Sequence, residues 1–381
     1  MNFSCLDSLN QSSNPSLHYA MKVLSMYEDI GSVEFLKEDP KLLGTDIVNK
    51  ITVPQSRIFR TSGTSGVPQK VYHNEETITF AVEALLDRIG RENYSSFCCL
   101  PLNHVGGWMQ VERAFRTGGS VLFGDYKDLA EVDMVKILKH RWISLVPTQL
   151  HVLLNSSLGL KNLRSSIGIF VGGAELPPAI EMKAREADIP LWPCYGMTET
   201  AGMITALDSD SFLDHGSGVG TCLSHSRIKI VEGRFSIKSK SLCYRFGESK
   251  IPKHDWYETQ DLGTYEANIG FRITGRTDRC IITGGEMVSP QVVESFLRET
   301  SLVTDCMVVG EEDNHWGQRV TALIILKSNA KLDDLKKIAR KSLTSIEYPK
   351  DWKVVEAIPI SEMGKLKDCL LYTSDAADEQ F

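Results

Sequence analysis

The chain has 381 residues, of which 42% are hydrophobic, and its 42 Lys and Arg against 49 Asp and Glu give a formal net charge of −7. Since domains usually run roughly 100–200 residues, this length predicts two or three domains with a buried core. The negative balance argues against a nucleic acid or an anionic membrane as the main partner, because both attract a concentrated positive field.

The start of the chain and the cysteines exclude further classes of protein. The first residues lack the basic and apolar regions of a signal peptide, and nowhere do about 18 apolar residues run together. We therefore expect a cytoplasmic protein without membrane insertion. The nine cysteines show no CxxC spacing, so they predict neither a zinc site nor a disulfide framework. A homo-oligomer is compatible with the sequence, which does not give an oligomeric state.

One pattern recurs between about residues 56 and 200: a short apolar run, then small or polar residues, then a helical segment. Runs that are apolar throughout are typical of strands buried on both faces, and their alternation with helices predicts a parallel α/β sheet. Because the ligand crevice of such a sheet lies at the carboxyl ends of its strands, we expect the polar motifs to converge there. The five motifs are TSGTSG at 61–66, Asn103-His104, Pro147-Thr148-Gln149, Gly172 to Glu175 and Gly196 to Glu199.

Helical spacing of the apolar residues from Ile78 to Ile89 predicts a first helix with Asn74 as its N-cap. After Gly275 the sequence predicts a small α+β unit, with a strand, a Gly-Gly turn and a helix that begins at Ser289-Pro290. Two further strands, a Lys-rich helix near 331–345 and a strand at 352–358 complete that unit. We place the domain boundary at 276/277. Residues 368–381 change composition abruptly, and we interpret them as a non-native tail.

The loop "TSGTSGVPQK" at 61–70 packs four hydroxyl residues and two glycines into six positions. Backbone N–H groups on such a loop form a concavity for phosphate, and the hydroxyls add donors. The loop is not a Walker A motif, because Gly66 is followed by Val-Pro-Gln rather than Lys-Ser/Thr, which excludes ordinary P-loop NTPases. Taken alone, the loop could equally be a flexible surface turn.

A second set of five longer motifs, which extends to residue 367, occurs in the order "TSGTSGVPQK", "CYGMTET", "YETQDLG", "GRTDRCIITGGE" and "PISEMGKLK". With them, the chain resembles the adenylate-forming acyl-CoA synthetase superfamily from about residue 56 to 367. "LPLNHVGG", the arginine of "VERAF", "ISLVPTQLHVLL" and "CYGMTETAGMITAL" are more closely similar to the o-succinylbenzoate–CoA ligases of menaquinone (vitamin K2) biosynthesis. The resemblance implies a large AMP- and acyl-binding domain at 1–276, with parallel-rich sheets, and a small mobile α+β domain at 277–367.

The resemblance also implies an enzyme, an acid–thiol ligase that uses ATP, Mg²⁺ and coenzyme A. A carboxylate and ATP give an acyl adenylate, from which coenzyme A then displaces AMP. A carboxylate with a pKa near 4 is already ionised at neutral pH, so the first step requires positioning and charge neutralisation rather than a general base. Two alternatives remain: another aryl- or acyl-adenylating ligase with coenzyme A or a carrier protein as acceptor, and an inactive nucleotide-binding relative.

Catalytic roles fall on three residues of the matching motifs. Thr198 would contact the α-phosphate, and the Glu199 carboxylate would hold Mg²⁺, a hard ion that prefers oxygen ligands. Lys365 matches the mobile lysine that reaches the α-phosphate and the carboxylate. Without the resemblance, Glu199 would be interpreted as a charge at a helix N-terminus and Lys365 as a solvated lysine.

The remaining site residues are assigned in the same way. Tyr195 would stack on adenine and the Asp261 carboxylate would take both ribose hydroxyls, with Arg276 at the ribose or phosphate. Arg113 matches the arginine that binds the second carboxylate of the substrate, although a surface helix residue is the alternative, as a core histidine is for His104. Residues that contact the phosphates or line the base are Thr61, Ser62, Gly63, Thr64, Ser65, Gly66, Lys70, Gly173, Ala174, Glu175 and Gly196. The resemblance further implies that the acyl pocket comprises His104, Gly106, Gly107, Arg113 and Thr148, that Asp278 is the hinge, and that Gly284 and Gly285 line the coenzyme A channel.

Overall fold

The structure is a computed structural model that describes residues 33–35, 56–61, 69–252, 255–267, 269–313 and 315–358. Several predicted site residues and the proposed tail lie outside these ranges, namely Ser62, Gly63, Thr64, Ser65, Gly66, Lys365 and 368–381. Of Thr61 only the backbone is described, within a strand.

An eight-stranded sheet forms the centre of the N-terminal part. Its strands, in spatial order, are Val33–Phe35 (β1), Val121–Phe123 (β5), Ser96–Cys98 (β4), Trp142–Leu145 (β6), Gly168–Val171 (β7), Leu191–Met197 (β8), Gly202–Ala206 (β9) and Thr221–Cys222 (β10). Pairing is parallel from β1 to β8, and β9 and β10 add antiparallel strands at one edge. The predicted parallel α/β sheet is confirmed for the four apolar runs that begin near Ser96, Trp142, Gly168 and Leu191.

The prediction is wrong for the first apolar run, "SRIF" at 56–59, which does not belong to this sheet. It forms strand β2, Ser56–Thr61, which pairs antiparallel with β3, Gln69–Asn74, in a separate four-stranded sheet. Arg245–Phe246 (β13) and Ser249–Lys250 (β14) complete that sheet. In β2, Arg57 and Phe59 are buried and Ile58 is exposed, so the run is a half-buried strand with alternating faces. The predicted phosphate loop therefore connects the two strands of a β-hairpin, β2 and β3, instead of joining a strand of the central sheet to a helix.

Helices cover both faces of the central sheet. Phe97, Ile143 and Ile169 belong to the core on one face, whereas the alternate residues Trp142 and Phe170 pack in a cluster on the other face. The helices are Glu75–Ile89 (α1), Val105–Thr117 (α2), Asp128–Glu131 (α3), Val135–Leu138 (α4), Pro147–Leu154 (α5), Ser157–Ser165 (α6), Pro178–Glu186 (α7) and Ser209–Leu213 (α8).

The N-cap predicted for α1 is confirmed by two reciprocal bonds. The backbone N–H of Thr77 donates to Asn74 Oδ1 at 3.0 Å, and the backbone N–H of Asn74 donates to Thr77 Oγ1 at 3.2 Å. Such a capping box satisfies donors that the first helical turn leaves without intrahelical partners. It fixes where β3 ends and α1 begins.

A second antiparallel sheet carries the "YETQDLG" and "GRTDR" motifs. It consists of Ser226–Val231 (β11), Arg234–Ser239 (β12), Tyr257–Glu266 (β15) and Gly270–Arg276 (β16). The register of its last two strands places Asp261 directly opposite Arg276. Cross-strand partners in an antiparallel pair have Cβ atoms about 4.5–5.5 Å apart. Strand pairing alone therefore makes these two predicted nucleotide-binding residues neighbours.

The C-terminal part is the predicted α+β unit, with its own core that includes Val293, Val308 and Leu335. Its elements are Ile281–Thr283 (β17), Glu286–Val288 (β18), Pro290–Glu299 (α9), Val303–Asp313 (β19), Gly317–Leu326 (β20), Leu332–Ser342 (α10) and Asp351–Val354 (β21). The boundary at 276/277 falls at the start of a 3₁₀ turn, Thr277–Arg279, and stays a prediction. Within the described ranges, no helix is both long enough and apolar enough to cross a membrane.

Candidate active site

A chain of hydrogen bonds links four predicted site residues. The Tyr195 hydroxyl donates to Asp261 Oδ2 at 2.6 Å, and Arg276 Nη1 donates to Asp261 Oδ1 at 2.7 Å. Arg276 also donates to both oxygens of Asp278, at 2.9 and 2.7 Å. Burial, together with the Asp261 charge, raises the pKa of Tyr195 well above its ordinary value, so its hydroxyl stays protonated and donates. The predicted adenine, ribose and hinge residues are thus in direct contact with one another.

Asp261 keeps capacity for a ligand despite these two bonds. An ionised carboxylate has about four lone-pair sites, and Tyr195 and Arg276 occupy one on each oxygen. The backbone of Asp261 is fixed as well, since its N–H donates to Thr259 Oγ1 at 3.0 Å. The remaining acceptor sites suit the two hydroxyl donors of a ribose, as the sequence predicts.

The Thr198–Glu199 pair lies in a 3₁₀ turn, Thr198–Thr200, immediately after β8. Three groups hold its backbone carbonyls: His73 Nε2 lies 2.8 Å from Thr198 O, the Cys243 N–H donates to Glu199 O at 2.7 Å, and Ser241 Oγ donates to Thr200 O at 2.8 Å. Both predicted catalytic side chains are half-buried. Hydrogen bonds to its main chain therefore fix the turn, while its side chains remain at the edge of the sheet.

Glu199 fits the predicted magnesium role. In the part of the chain that the structure describes, no three His, Cys, Asp or Glu side chains are grouped so that they could hold a metal ion. Mg²⁺ is commonly bound through one or two carboxylates, with substrate phosphates and water as its other ligands. A single carboxylate would be sufficient for that mode, and the assignment of Mg²⁺ to Glu199 stays a prediction.

Glycines in the predicted base-lining segments have packing roles. Gly173 follows β7 with a φ of +82°, a left-handed conformation that favours glycine. A Cβ at Gly196 would lie 2.0 Å from Gly202 O, so a side chain there would break the pairing of β8 with β9. Ala174 and Glu175 are exposed, and Ser295 of α9 donates to Glu175 Oε1 at 3.1 Å. The loop after β7 thus lies next to the C-terminal part.

The predicted acyl-pocket motif forms the start of α2. His104 is its N-cap residue, and the Trp108 N–H donates to His104 O at 3.0 Å. A Cβ at Gly107 would lie 2.3 Å from Pro101 O, and one at Gly106 would lie 3.3 Å from a Leu100 side-chain atom. The two glycines therefore let the first turn of α2 pack against the preceding loop. Thr148 is exposed at the start of α5, directly after β6.

Arg113 is the most unusual of the predicted residues. Its side chain lies in the interior at 3% exposure, and no described Asp or Glu forms an ion pair with it. Among the described groups its Nε has no hydrogen-bond partner, and its guanidinium lies 5.6 Å from the centre of the Tyr94 ring. A buried charge without a counter-ion is costly, so a residue of this kind indicates an anionic ligand. The alternative of a surface arginine is wrong.

Arg113 also lies close to the 3₁₀ turn Thr198–Thr200. A Cβ at Gly202 would be 3.9 Å from Arg113 Nη2, and Gly202 pairs in register with Met197, the residue before Thr198. A dicarboxylate with one carboxylate at Arg113 could therefore present the other toward the turn that contains Thr198.

An ionic network beside Arg113 was not foreseen from the sequence. Glu112, 1% exposed, accepts from Arg57 Nε at 2.7 Å, from Trp108 Nε1 at 2.9 Å and from Arg116 Nε at 3.3 Å. Glu75 at the start of α1 pairs with the same two arginines. This network ties β2, α1 and α2 together and neutralises the charges around Glu112, whereas Arg113 points away from it.

Other predicted residues lie at the ends of their elements. The backbones of Thr61 and Gln69 pair at the base of the hairpin, and Lys70 is exposed in β3 next to that base. Gly284 and Gly285 form the turn between β17 and β18 with φ of +59° and +82°, and the Gly284 N–H donates to Trp316 O at 2.9 Å. The assignment of Thr61 and Lys70 to the phosphates stays a prediction, as does that of Gly284 and Gly285 to the coenzyme A channel.

Another residue that the sequence does not mark as part of the site is His73, which is fully buried in β3. Its Nε2 lies 2.8 Å from Thr198 O and its Nδ1 lies 3.1 Å from Thr77 Oγ1. A carbonyl oxygen can only accept, so Nε2 carries the proton and the neutral ring presents Nδ1 as an acceptor to the Thr77 hydroxyl, which also lies 3.0 Å from Asn74 O. The one available signal was the position of His73 on the inward face of β3, next to the end of the predicted phosphate loop.

The buried histidines predict an acid-sensitive fold. Burial lowers the pKa of His73 and of His225 to about 4, from an ordinary value of 6.5. Below pH about 6.5 the unfolded chain binds protons that the folded chain does not, so the free energy of unfolding must fall as the pH falls. Between pH about 7.5 and about 5 we expect each histidine to remove about 2 kcal/mol.

Denaturant unfolding of the wild type, His73→Gln and His225→Gln at these two pH values tests this expectation. Each variant lacks one titrating ring, so its stability should fall by about 2 kcal/mol less than that of the wild type. An identical pH dependence in all three proteins would show that neither histidine is responsible.

Comparisons with known proteins bear on the whole chain. The family profile described as AMP-binding enzyme matches residues 56–236, and the profile of the AMP-binding enzyme C-terminal domain matches residues 292–365. Together they span about two thirds of the chain. The chain belongs to the AMP-binding enzyme family. The predictions of an enzyme and of a nucleotide-binding protein with this fold are confirmed.

Individual members of this family are also similar to the chain. The 2-succinylbenzoate–CoA ligase of Listeria monocytogenes is 26% identical over 351 residues, which cover 90% of this chain and 73% of the relative. The Escherichia coli K12 protein of the same name is 29% identical over 300 residues, covering 77% and 63%. The solved o-succinylbenzoate CoA synthetase of Bacillus subtilis, in complex with its acyl-adenylate intermediate, has a TM-score of 0.73 at 24% identity, covering 85% and 70%. That structural likeness shows that this AMP-binding enzyme has the same fold.

Proposed function

We propose that this AMP-binding enzyme is a carboxylate–CoA ligase that converts 2-succinylbenzoate to its coenzyme A thioester through an acyl adenylate. The observation that carries the proposal is the buried Arg113 guanidinium, which has no acidic partner among the described residues and lies beside Gly202 near Thr198. 2-Succinylbenzoate has two carboxylates, of which one must react and the other must be bound. The curated relatives that carry this activity in their names support the same substrate. Such a step belongs to menaquinone biosynthesis in the cytoplasm.

In the first half-reaction, a carboxylate oxygen of the substrate attacks the α-phosphorus of ATP and the bond to pyrophosphate breaks. Arg113 holds the second carboxylate, so that the reacting carboxylate is oriented toward the turn at Thr198. Thr198 would contact the α-phosphate, and Glu199 would hold Mg²⁺, which would neutralise charge on the phosphates. Asp261, held by Tyr195 and Arg276, binds the ribose.

In the second half-reaction, the coenzyme A sulfur attacks the acyl carbon and the bond to AMP breaks. AMP is a good leaving group, so a positioned thiolate is sufficient. The Arg276–Asp278 ion pair, with its 2.7 Å contact, lies at the proposed boundary between the two domains. It connects the ribose-binding carboxylate to the proposed hinge, about which the C-terminal domain would rotate between the two steps.

A panel of carboxylates tests the proposal. Each is assayed for ATP–pyrophosphate exchange and, by mass spectrometry, for a coenzyme A thioester. We expect exchange and thioester with 2-succinylbenzoate and neither product with benzoate or a fatty acid. Exchange without thioester would identify a carrier protein as the acceptor, and exchange only with a monocarboxylate would contradict the role of Arg113. The absence of both exchange and thioester with every member of the panel would identify an inactive relative.

A further inference from the structure

His73 connects two segments that belong to different sheets. It lies in β3, four residues after the base of the predicted phosphate hairpin, and its ring reaches the turn that follows β8 of the central sheet. Its ring is fully buried, with Thr198 O and the Thr77 hydroxyl at its two nitrogens. Because Thr77 is also fixed by the capping box of α1, the ring has a single favourable orientation.

Backbone bonds provide a second connection between the same two segments. The Tyr244 N–H donates to Tyr72 O at 3.1 Å, and the neighbouring Cys243 N–H donates to Glu199 O at 2.7 Å. The main chain at 243–244 therefore bridges the phosphate hairpin and the Glu199 carbonyl, while the His73 side chain reaches the Thr198 carbonyl. Of these two described connections, the one through His73 can be removed by substitution without removing a backbone hydrogen bond.

We propose that His73 is a positioning residue for adenylation, which fixes Thr198 relative to β3, the strand that begins at the base of the predicted phosphate loop. The proposal rests on the function proposed above, since it concerns how Thr198 meets the α-phosphate. In-line attack requires the α-phosphorus and the pyrophosphate leaving group to be held in one geometry, and a misplacement of about 1 Å can cost about 100-fold in rate. Strand β3 and strand β8, which precedes Thr198, belong to separate sheets, so their relative position depends on the bonds that connect them.

Two substitutions separate the hydrogen bonds from the volume of the ring. His73→Gln keeps an N–H donor for Thr198 O and an oxygen that accepts from Thr77, whereas His73→Leu fills similar space without either bond. We expect His73→Leu to lower kcat for ATP–pyrophosphate exchange about 10-fold to 100-fold, with the KM for the carboxylate within about 3-fold of wild type. His73→Gln should stay within about 3-fold of wild type in both quantities.

The second half-reaction distinguishes a positioning role from a merely structural one, because a general structural defect would slow both half-reactions. Thioester formation from supplied acyl adenylate no longer requires the pyrophosphate to be held, so His73→Leu should change it by less than about 3-fold. His225→Leu is the matched control, because His225 is another buried histidine and lies outside the proposed site. Neither ring nitrogen of His225 has a hydrogen-bond partner among the described groups, so His225→Leu should keep both its stability and its exchange activity.

Several results would overturn the proposal. They are equal losses in both half-reactions, a His73→Gln variant as impaired as His73→Leu, or a folded His73→Leu variant with full exchange activity. If His73→Leu does not fold, His73→Asn replaces it, since its neutral amide is too short to reach both partners. If the wild type activates no carboxylate in the panel, the proposed function fails separately. The role of His73 is then decided by ATP affinity in calorimetry, which should weaken about 5-fold or more in His73→Leu and not in His73→Gln.

Discussion

Replacing Arg113 by methionine should lower kcat/KM for 2-succinylbenzoate by about 30-fold to several thousand-fold. Removing one partner of a buried, hydrogen-bonded charge pair costs about 2–5 kcal/mol, much of it from leaving the other charge without its partner. In the bound complex the charge left alone would be the second carboxylate of the substrate. In the free protein the opposite holds, because Arg113 is 3% exposed without a counter-ion among the described residues. Its replacement by an apolar side chain of similar length should therefore leave stability unchanged or raise it.

Two monocarboxylate analogues make the measurement specific. 4-Oxo-4-phenylbutanoate lacks the ring carboxylate of 2-succinylbenzoate, and 2-butanoylbenzoate lacks the succinyl carboxylate. The analogue that retains the reacting carboxylate should be a poor substrate of the wild type and an equally poor substrate of Arg113→Met. The two proteins should thus differ with the dicarboxylate and agree with that analogue, which isolates the pairwise term between Arg113 and the second carboxylate.

Arg116→Met is the matched control on the same helix. Arg116 pairs with Glu112 and Glu75, so its loss should destabilise the fold and leave the preference for the dicarboxylate intact. Arg113→Met should have the reverse effects. An Arg113→Met variant that still prefers the dicarboxylate as strongly as the wild type would rule out Arg113 as the anion-binding residue.

The central sheet could be predicted because its strands are buried on both faces. A run such as "GIFV" has no polar residue to mark an outer face, and the helices between such runs imply parallel pairing. The run "RIF" of β2 appeared equivalent, but three residues are too few to distinguish a continuous run from alternation. The buried Arg57 shows the difference, because its charge is neutralised by Glu112, which lies 55 positions away.

The candidate site was predictable where motifs carried it and not where long-range contacts did. Asp261 and Arg276 were assigned from the resemblance, and strand register explains why they meet. The burial of Arg113 without an acidic partner among the described residues could not be derived from sequence, since it depends on how α2 packs over β9. The partner of His73 is a main-chain carbonyl 125 positions away, and no residue type marks such an acceptor. Contacts of this kind become visible only in three dimensions.

Replacing Lys365 by alanine should lower the rate of acyl-adenylate formation by about 100-fold to 1,000-fold. In the adenylation state its ammonium would lie between the reacting carboxylate and the α-phosphate, where negative charge accumulates, and losing one such group typically costs about that factor. The second half-reaction should largely survive, because coenzyme A attacks a carbonyl that is already activated. ATP–pyrophosphate exchange measures the first step, and thioester formation from supplied acyl adenylate measures the second.

Lys367→Ala provides the control, since it removes the same charge two positions further along the motif "GKLK". If the lysine acts through general electrostatic attraction of ATP, the two variants should be impaired alike and added salt should weaken the wild type in the same way. If it acts at the reacting atoms, Lys365→Ala alone should lose the first step, with little change in the KM for ATP. Equal loss of both steps in Lys365→Ala would contradict a role confined to adenylation. It would then place Lys365 in an interaction needed by both states of the enzyme.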